Sequence, residues 1–154
     1  MSEEARLELI LESVNYCKRV EAMGMPASAY TKALREPIHF LWERRNGTKL
    51  QAAMYRSLKS IDLKFGSGQL IYDHAIPFNY VQKELLQSSE LSISKLREIL
   101  DRSIVICVIT KEEDRLLRSL GLAKKMPEGW NGEDRLARYK AANIEVKSDH
   151  NKAA

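Results

Sequence analysis

Apolar residues recur every three to four positions through the first third of the chain. In the segment from about Glu3 to Met23, Leu7, Ile10, Leu11, Val14 and Cys17 fall on one stripe with charges opposite. That spacing predicts an amphipathic helix, because residues three and four apart share a helix face. Gly24-Met25-Pro26 ends it, since glycine suits a helix stop and proline cannot continue one. A second helix is predicted from the spacing of Tyr30, Leu34, Ile38 and Leu41, with Pro37 inside the pattern, where it must kink or divide the helix. Arg44-Arg45-Asn46-Gly47 reads as a turn. A third helix is predicted from about Thr48 to Ile61, with Leu50, Ala53, Met54, Leu58 and Ile61 on one face.

The pattern changes after Gly66-Ser67-Gly68. Gln69-Leu70-Ile71-Tyr72 reads as a short strand, and Pro77 opens a helix running to about Gln87. Ser92 or Ser94 caps a further helix ending near Asp101. Ser103 to Ile109 is a continuous β-branched run and the clearest strand. Thr110 and Glu113 form a capping-box pair for the next helix, which Gly121 stops. Lys124 to Gly132 is a loop, Asp134 to Ala142 a short helix, and Ile144-Glu145-Val146 a last strand. The fold class expected is α+β: helix-rich, with a small two-stranded antiparallel element at Gln69–Asp73 and Ile104–Ile109. One domain is expected over 1–146, made of a helical part (1–62), a strand-containing part (69–120) and a C-terminal loop and helix (121–146). A frayed polar tail is expected over 147–154.

Composition narrows the function classes. A chain of 154 residues can bury roughly two-thirds of its unfolded surface without disulfides. No apolar run approaches the roughly twenty residues of a membrane span, and the acidic start Met1-Ser2-Glu3-Glu4 does not read as a secretory signal. Cys17 and Cys107 lie far apart in apolar patterns and read as buried thiols, which fits a reducing, cytoplasmic setting. Net charge is +4 and the pI about 9.1, compatible with nucleic acid without forming a basic arm. There is no Gly-rich phosphate loop, His-Glu-x-x-His, Gly-x-Ser-x-Gly or disulfide-exchange pair, so ATPase, zinc-protease, hydrolase-elbow and thioredoxin-like activities lack support.

The candidate chemistry centres on Asp73-His74-Ala75-Ile76-Pro77, where a strand gives way to a loop. A carboxylate there can hold a divalent cation, and an imidazole can take a proton from an attacking water near neutral pH. His39 and His150 have no comparable local surroundings. If a hairpin brings the first strand end near the helix after Thr110, Asp73 and Asp114 (or Glu113) converge on one ion. Hard oxygen ligands favour magnesium or manganese, and mixed ligands admit zinc.

These residues resemble the first motif of HNH endonucleases, in which Asp/Glu-His, an apolar pair and a proline lie at the first strand end of a ββα-metal unit. Val108 to Asp114 resembles the second strand and helix start. The resemblance, over about Gln69 to Leu120, implies a metal-dependent endonuclease acting on DNA or RNA. In it His74 matches the general base, Asp73 the first metal ligand, and Asp114 the place of the closing histidine. On the reading built from it, Asp73 and Asp114 hold the metal, and Arg56 or Arg115 orients the phosphate. It also implies a setting such as defence or counter-defence. This chain departs from the pattern in three respects. It has no Asn between Asn79 and Asn131, it has Asp114 in place of the closing histidine, and about forty residues separate the motifs.

Each residue also has a structural reading. His74 can satisfy a strand end, Asp73 can cap the helix after Pro77, and Glu112, Glu113 and Asp114 suit a helix N-terminus electrostatically. Arg56 can be an exposed helix arginine. Lys124, Lys125, Trp130, Arg135, Arg138 and Tyr139 would form a backbone-tracking surface with a base-stacking platform. Alternatively, Trp130 and Tyr139 pin the loop while Asp134 pairs with Arg138. Besides the nuclease, two readings remain open: a non-catalytic regulator or inhibitor binding nucleic acid or protein on the same fold, and a helical module dimerising through its first helix.

Overall fold

A computed structural model describes residues 1–149, with Leu50 described by its backbone alone. His150 and the rest of the expected tail, like the Leu50 side chain, lie outside the described residues. The class is α+β, as the periodicity predicts.

The helical half is built on α1 (Glu3–Ala22), which Ser2 caps by accepting the Ala5 N–H at 3.1 Å. Its stripe of Leu7, Ile10, Val14 and Cys17 is buried. Against it pack α2 (Ala27–Ile38), through Tyr30, Leu34 and Ile38, then α4 (Phe78–Gln87) and α5 (Ile93–Ser103). Trp42, Val81, Leu85, Leu96 and Ile99 complete this core. Pro37 does not divide α2. A proline ring supplies no N–H to the helical ladder, and just beyond it the helix widens into a π turn, His39–Glu43. Its mark is the Arg44 N–H donating to the His39 carbonyl five residues back, at 3.0 Å.

The expected third helix is confined to α3 (Lys49–Ala52). Beyond it Tyr55–Ser57 is β1, followed by a 3-10 turn, Leu58–Ser60. Sheet pairing overrides the helical spacing here, since Tyr55 and Arg56 sit beside Cys107 and Val108 in parallel register. The sheet therefore has four strands rather than two, in the order β2-β3-β1-β4. β2 (Leu70–His74) runs antiparallel to β3 (Ile106–Thr110), which is buried along its whole length. β4 (Val146–Ser148) pairs antiparallel with β1, so Lys147 and Ser148 are strand residues and not part of a frayed tail.

One sheet face packs Cys107, Ile109, Leu117, Leu122, Tyr139 and Ile144 beneath α6 (Lys111–Ser119) and α7 (Ala137–Ala141). The other carries Ile106 and Val108 with Ala53, Leu70 and Tyr72. Among the described residues no helix is long and apolar enough to cross a membrane.

Candidate active site

Side chains alternate along a strand, so Leu70, Tyr72 and His74 of β2 share one sheet face while Ile71 and Asp73 take the other. The π turn lies over the Tyr72 and His74 face. From it Glu43, buried to 7 % exposure, places its carboxylate among three partners. His74 Nε2 is 3.0 Å from Oε2 and 3.1 Å from Oε1. His39 Nδ1 is 3.2 Å from Oε1, and the Tyr72 hydroxyl donates to the same oxygen at 3.1 Å. The Tyr72 ring meets both imidazoles edge-on, with centroids 5.9 Å apart in each case.

A buried carboxylate is costly unless it is paired. Burial alone pushes the Glu43 carboxyl up, but the hydrogen bonds and charges of His74 and His39 outweigh it and hold the carboxyl below its ordinary range. Burial and the Glu43 charge raise the Tyr72 phenol well above its usual value, so it stays protonated as a donor. An ionised carboxylate can only accept, so each imidazole presents an N–H to Glu43, and in the neutral ring the other nitrogen carries the lone pair. Those nitrogens, His74 Nδ1 and His39 Nε2, make no hydrogen bond among the described residues. The two side chains are 25 % and 21 % exposed. Two bases held by one carboxylate can thus each exchange a proton with a molecule arriving from solvent. Cations and an aromatic ring stand close by. Lys49 Nζ is 5.5 Å from the Tyr72 ring centre, and the Arg44 guanidinium is 5.8 Å from the ring of Phe40, which is 57 % exposed.

The carboxylates expected to share a metal do not meet. Asp73 faces the opposite side of the sheet, where its Oδ2 accepts from Arg138 Nη1 at 3.0 Å and from the Tyr139 hydroxyl at 2.6 Å. Leu70 lies opposite Thr110 and Asp73 opposite Cys107, so Asp73 is three residues, about 10 Å, along the strand from the start of α6. Asp114 accepts from Arg118 Nε at 3.0 Å, one helical turn on. Glu113 is buried and accepts from the Thr110 N–H at 2.9 Å and the Ser57 hydroxyl at 2.6 Å, closing the capping box. Among the described residues no group of three or more His, Cys, Asp or Glu side chains is arranged to hold a metal ion. Each of the three expected ligands is instead engaged by a neighbouring side chain or backbone group.

The remaining expected residues scatter. Arg56 lies on β1, on the Tyr72 face but with β3 between, and donates to the carbonyls of Ser60 and Leu63. Arg138 is 1 % exposed and donates to the carbonyls of Leu122, His74 and Ala75 as well as to Asp73, so it is a core residue and not part of a nucleic-acid surface. Asp134 pairs with Lys140 instead of Arg138. Trp130 donates to the Asp134 carbonyl at 2.8 Å and packs edge-on against Tyr80, pinning its loop. Lys124, Lys125 and Arg115 are exposed. His39, Glu43 and Tyr72 were not expected at the site. Two signals pointed to them: a histidine and a glutamate four apart just after Pro37, and a tyrosine two before His74 on one strand. Comparisons of the chain with protein-family models, with curated proteins and with solved structures give no match.

Proposed function

We propose that the chain cleaves phosphodiester bonds in nucleic acid by acid–base catalysis, with His74 as general base and His39 as general acid. The observation that carries this reading is the single buried carboxylate of Glu43 gripping both imidazoles while the other nitrogen of each has no hydrogen-bond partner among the described residues. His74 would take the proton from the attacking oxygen, a water or an RNA 2′-hydroxyl, as the new P–O bond forms. His39 would deliver a proton to the departing oxygen as the old bond breaks. Glu43 is a positioning residue that fixes the tautomer and orientation of both rings. Lys49 and Arg44 supply positive charge beside the imidazoles, and Phe40 offers a face for base stacking, in keeping with the basic net charge of +4. The role of His74 agrees with the HNH resemblance; the carboxylates that the resemblance assigns to a metal do not.

The test is incubation with labelled single-stranded RNA, single-stranded DNA and plasmid, in chelator and in magnesium, manganese or zinc. Cleavage by the wild type that is lost in His74→Ala and His39→Ala supports the proposal. Undiminished cleavage in either variant, or no cleavage of any substrate, overturns it. A second reading, a binding regulator that does not cut, is favoured by one observation: Asp73, Glu113 and Asp114 are all engaged in structural pairs. Its sign is saturable binding of nucleic acid that survives the two histidine substitutions.

A further inference from the structure

β1 and β3 run parallel as the two central strands, so their C-terminal ends, Ser57 and Thr110, lie at the same end of the sheet. Here the 3-10 turn after β1 and the helix after β3 form the two walls of a cleft of about 410 Å³, within the range of small-molecule sites.

Three cations from the two walls line it. Lys111 and Arg115 are four apart and share one face of α6, and Lys59 comes from the wall after β1. None of the three side chains makes an ion pair or hydrogen bond among the described residues, and Glu112 is the one acid lining the cleft. Glu112 stands beside Lys111 on α6 and pairs with none of the three among the described residues, so the cleft keeps a net positive lining. Like charges four apart on a helix repel, and an anion between them would relieve that repulsion.

The walls are held in place. Buried Ser57, at the end of β1, donates to Glu113 of α6 at 2.6 Å. Arg56, 9 % exposed, donates from Nη2 to the Ser60 carbonyl at 2.5 Å and the Leu63 carbonyl at 3.3 Å, bracing the wall that carries Lys59. A pre-set cleft with unpaired cations on both sides loses little ordering entropy when an anion enters.

We infer that this cleft is a phosphate-binding site for a phosphorylated ligand of about nucleotide size, with Lys59, Lys111 and Arg115 as the anion contacts. The ligand is a free nucleotide or the phosphorylated end of a nucleic-acid chain. The site lies at the Leu70 end of β2, four residues or about 13 Å along the strand from His74, and does not depend on catalysis there.

Isothermal titration with pyrophosphate, with a nucleoside diphosphate, and with 5′-phosphorylated and 5′-hydroxyl oligonucleotides tests this at low ionic strength. Lys111→Gln/Arg115→Gln is compared with Lys124→Gln/Lys125→Gln and with His74→Ala. All four lysine and arginine positions are exposed, and circular dichroism checks that the variants are folded. For pyrophosphate and the nucleoside diphosphate the expected result is saturable binding that weakens by at least about tenfold in the first double variant and is unchanged in the other two. The oligonucleotides are titrated into His74→Ala with and without the Lys111/Arg115 substitutions, so that cleavage does not intervene. Tight binding of the diphosphate identifies a free nucleotide as the ligand; binding confined to the 5′-phosphorylated oligonucleotide identifies a chain end. No saturable binding of any probe, or equal binding by the Lys111/Arg115 variant, overturns the site. Loss of binding in His74→Ala alone also overturns it, because the ligand would then belong to the histidine centre.

Discussion

Asp73 and His74 are consecutive in β2, yet their side chains serve opposite faces of the sheet. The Asp73 carboxylate lies 3.0 Å from Arg138 Nη1, whereas His74 Nε2 lies 3.0 Å from Glu43 Oε2. The two partners divide structure from chemistry. Arg138 is a buried guanidinium whose charge is balanced by Asp73, and Glu43 is a buried carboxylate whose partners reach solvent.

Asp73→Ala should therefore act on folding. Removing one partner of a buried pair leaves an uncompensated charge and costs about 3–5 kcal/mol. The Tyr139 hydroxyl loses its acceptor as well. Asp73→Asn keeps an oxygen for Arg138 and Tyr139 and should cost less. Denaturant unfolding of the two variants checks the order, and wild-type stability in Asp73→Ala would contradict the pairing.

Glu43 predicts a distinct acid response. Its carboxyl is held below the ordinary value of 4.5 by His74 and His39 against the opposing push of burial. A carboxyl depressed on folding contributes stability that is complete above its unfolded value and is lost as pH falls through its folded value. The urea midpoint of the wild type should thus fall more steeply below pH 4.5 than that of Glu43→Gln, which has no proton to take up there. Parallel curves for the two proteins would contradict the assignment.

Much of this was open to reading along the chain wherever local rules decide. The stripe of Leu7, Ile10, Val14 and Cys17, the β-branched run of β3 and the Thr110–Glu113 capping box are each fixed by neighbours within a few residues. β1 was not legible, because Tyr55–Ser57 is extended only by virtue of Cys107, Val108 and β4 beside it. The site was half legible. His74 stood out, but period-two alternation already placed Asp73 on the other face, and a hairpin between β2 and β3 places Asp73 opposite Cys107 rather than Thr110. His39 and Glu43 look like ordinary helix residues until β2 brings Tyr72 and His74 against them.

Glu113 offers a second separation of structure from catalysis. Its Oε1 accepts both the Thr110 N–H and the Ser57 hydroxyl in a buried setting. Glu113→Ala strands those donors, at about 1–3 kcal/mol for each unmet buried group. Chemical denaturation should show a loss of a few kcal/mol, and Glu113→Gln, which keeps an acceptor, should lose less. A loss confined to activity, with stability intact, would restore a catalytic role for this residue.

The thiols should be inert in the native state. Burial pushes Cys107 up to about 12 and also raises Cys17, and both side chains are closed to solvent. Since the thiolate is the reactive form, a chromogenic disulfide reagent should label neither cysteine until urea unfolds the chain. Stoichiometric labelling of the native protein within minutes would show that one of the two cores opens readily.

The histidine pair makes the sharpest demand. If one imidazole takes a proton and the other gives one, phosphodiester cleavage requires opposite protonation states on rings that share Glu43, and the pH–rate profile is bell-shaped. His74→Ala should remove the limb set by the base and His39→Ala the limb set by the acid, each lowering kcat by about 10²–10⁴. Because the two act in one step, the double variant should be little slower than the worse single one. Glu43→Gln still accepts a hydrogen bond but no longer stabilises a charged ring, so it should lower kcat while leaving KM nearly unchanged. A single-limbed profile in the wild type, or additive losses in the double variant, would mean that the two rings do not work as a pair.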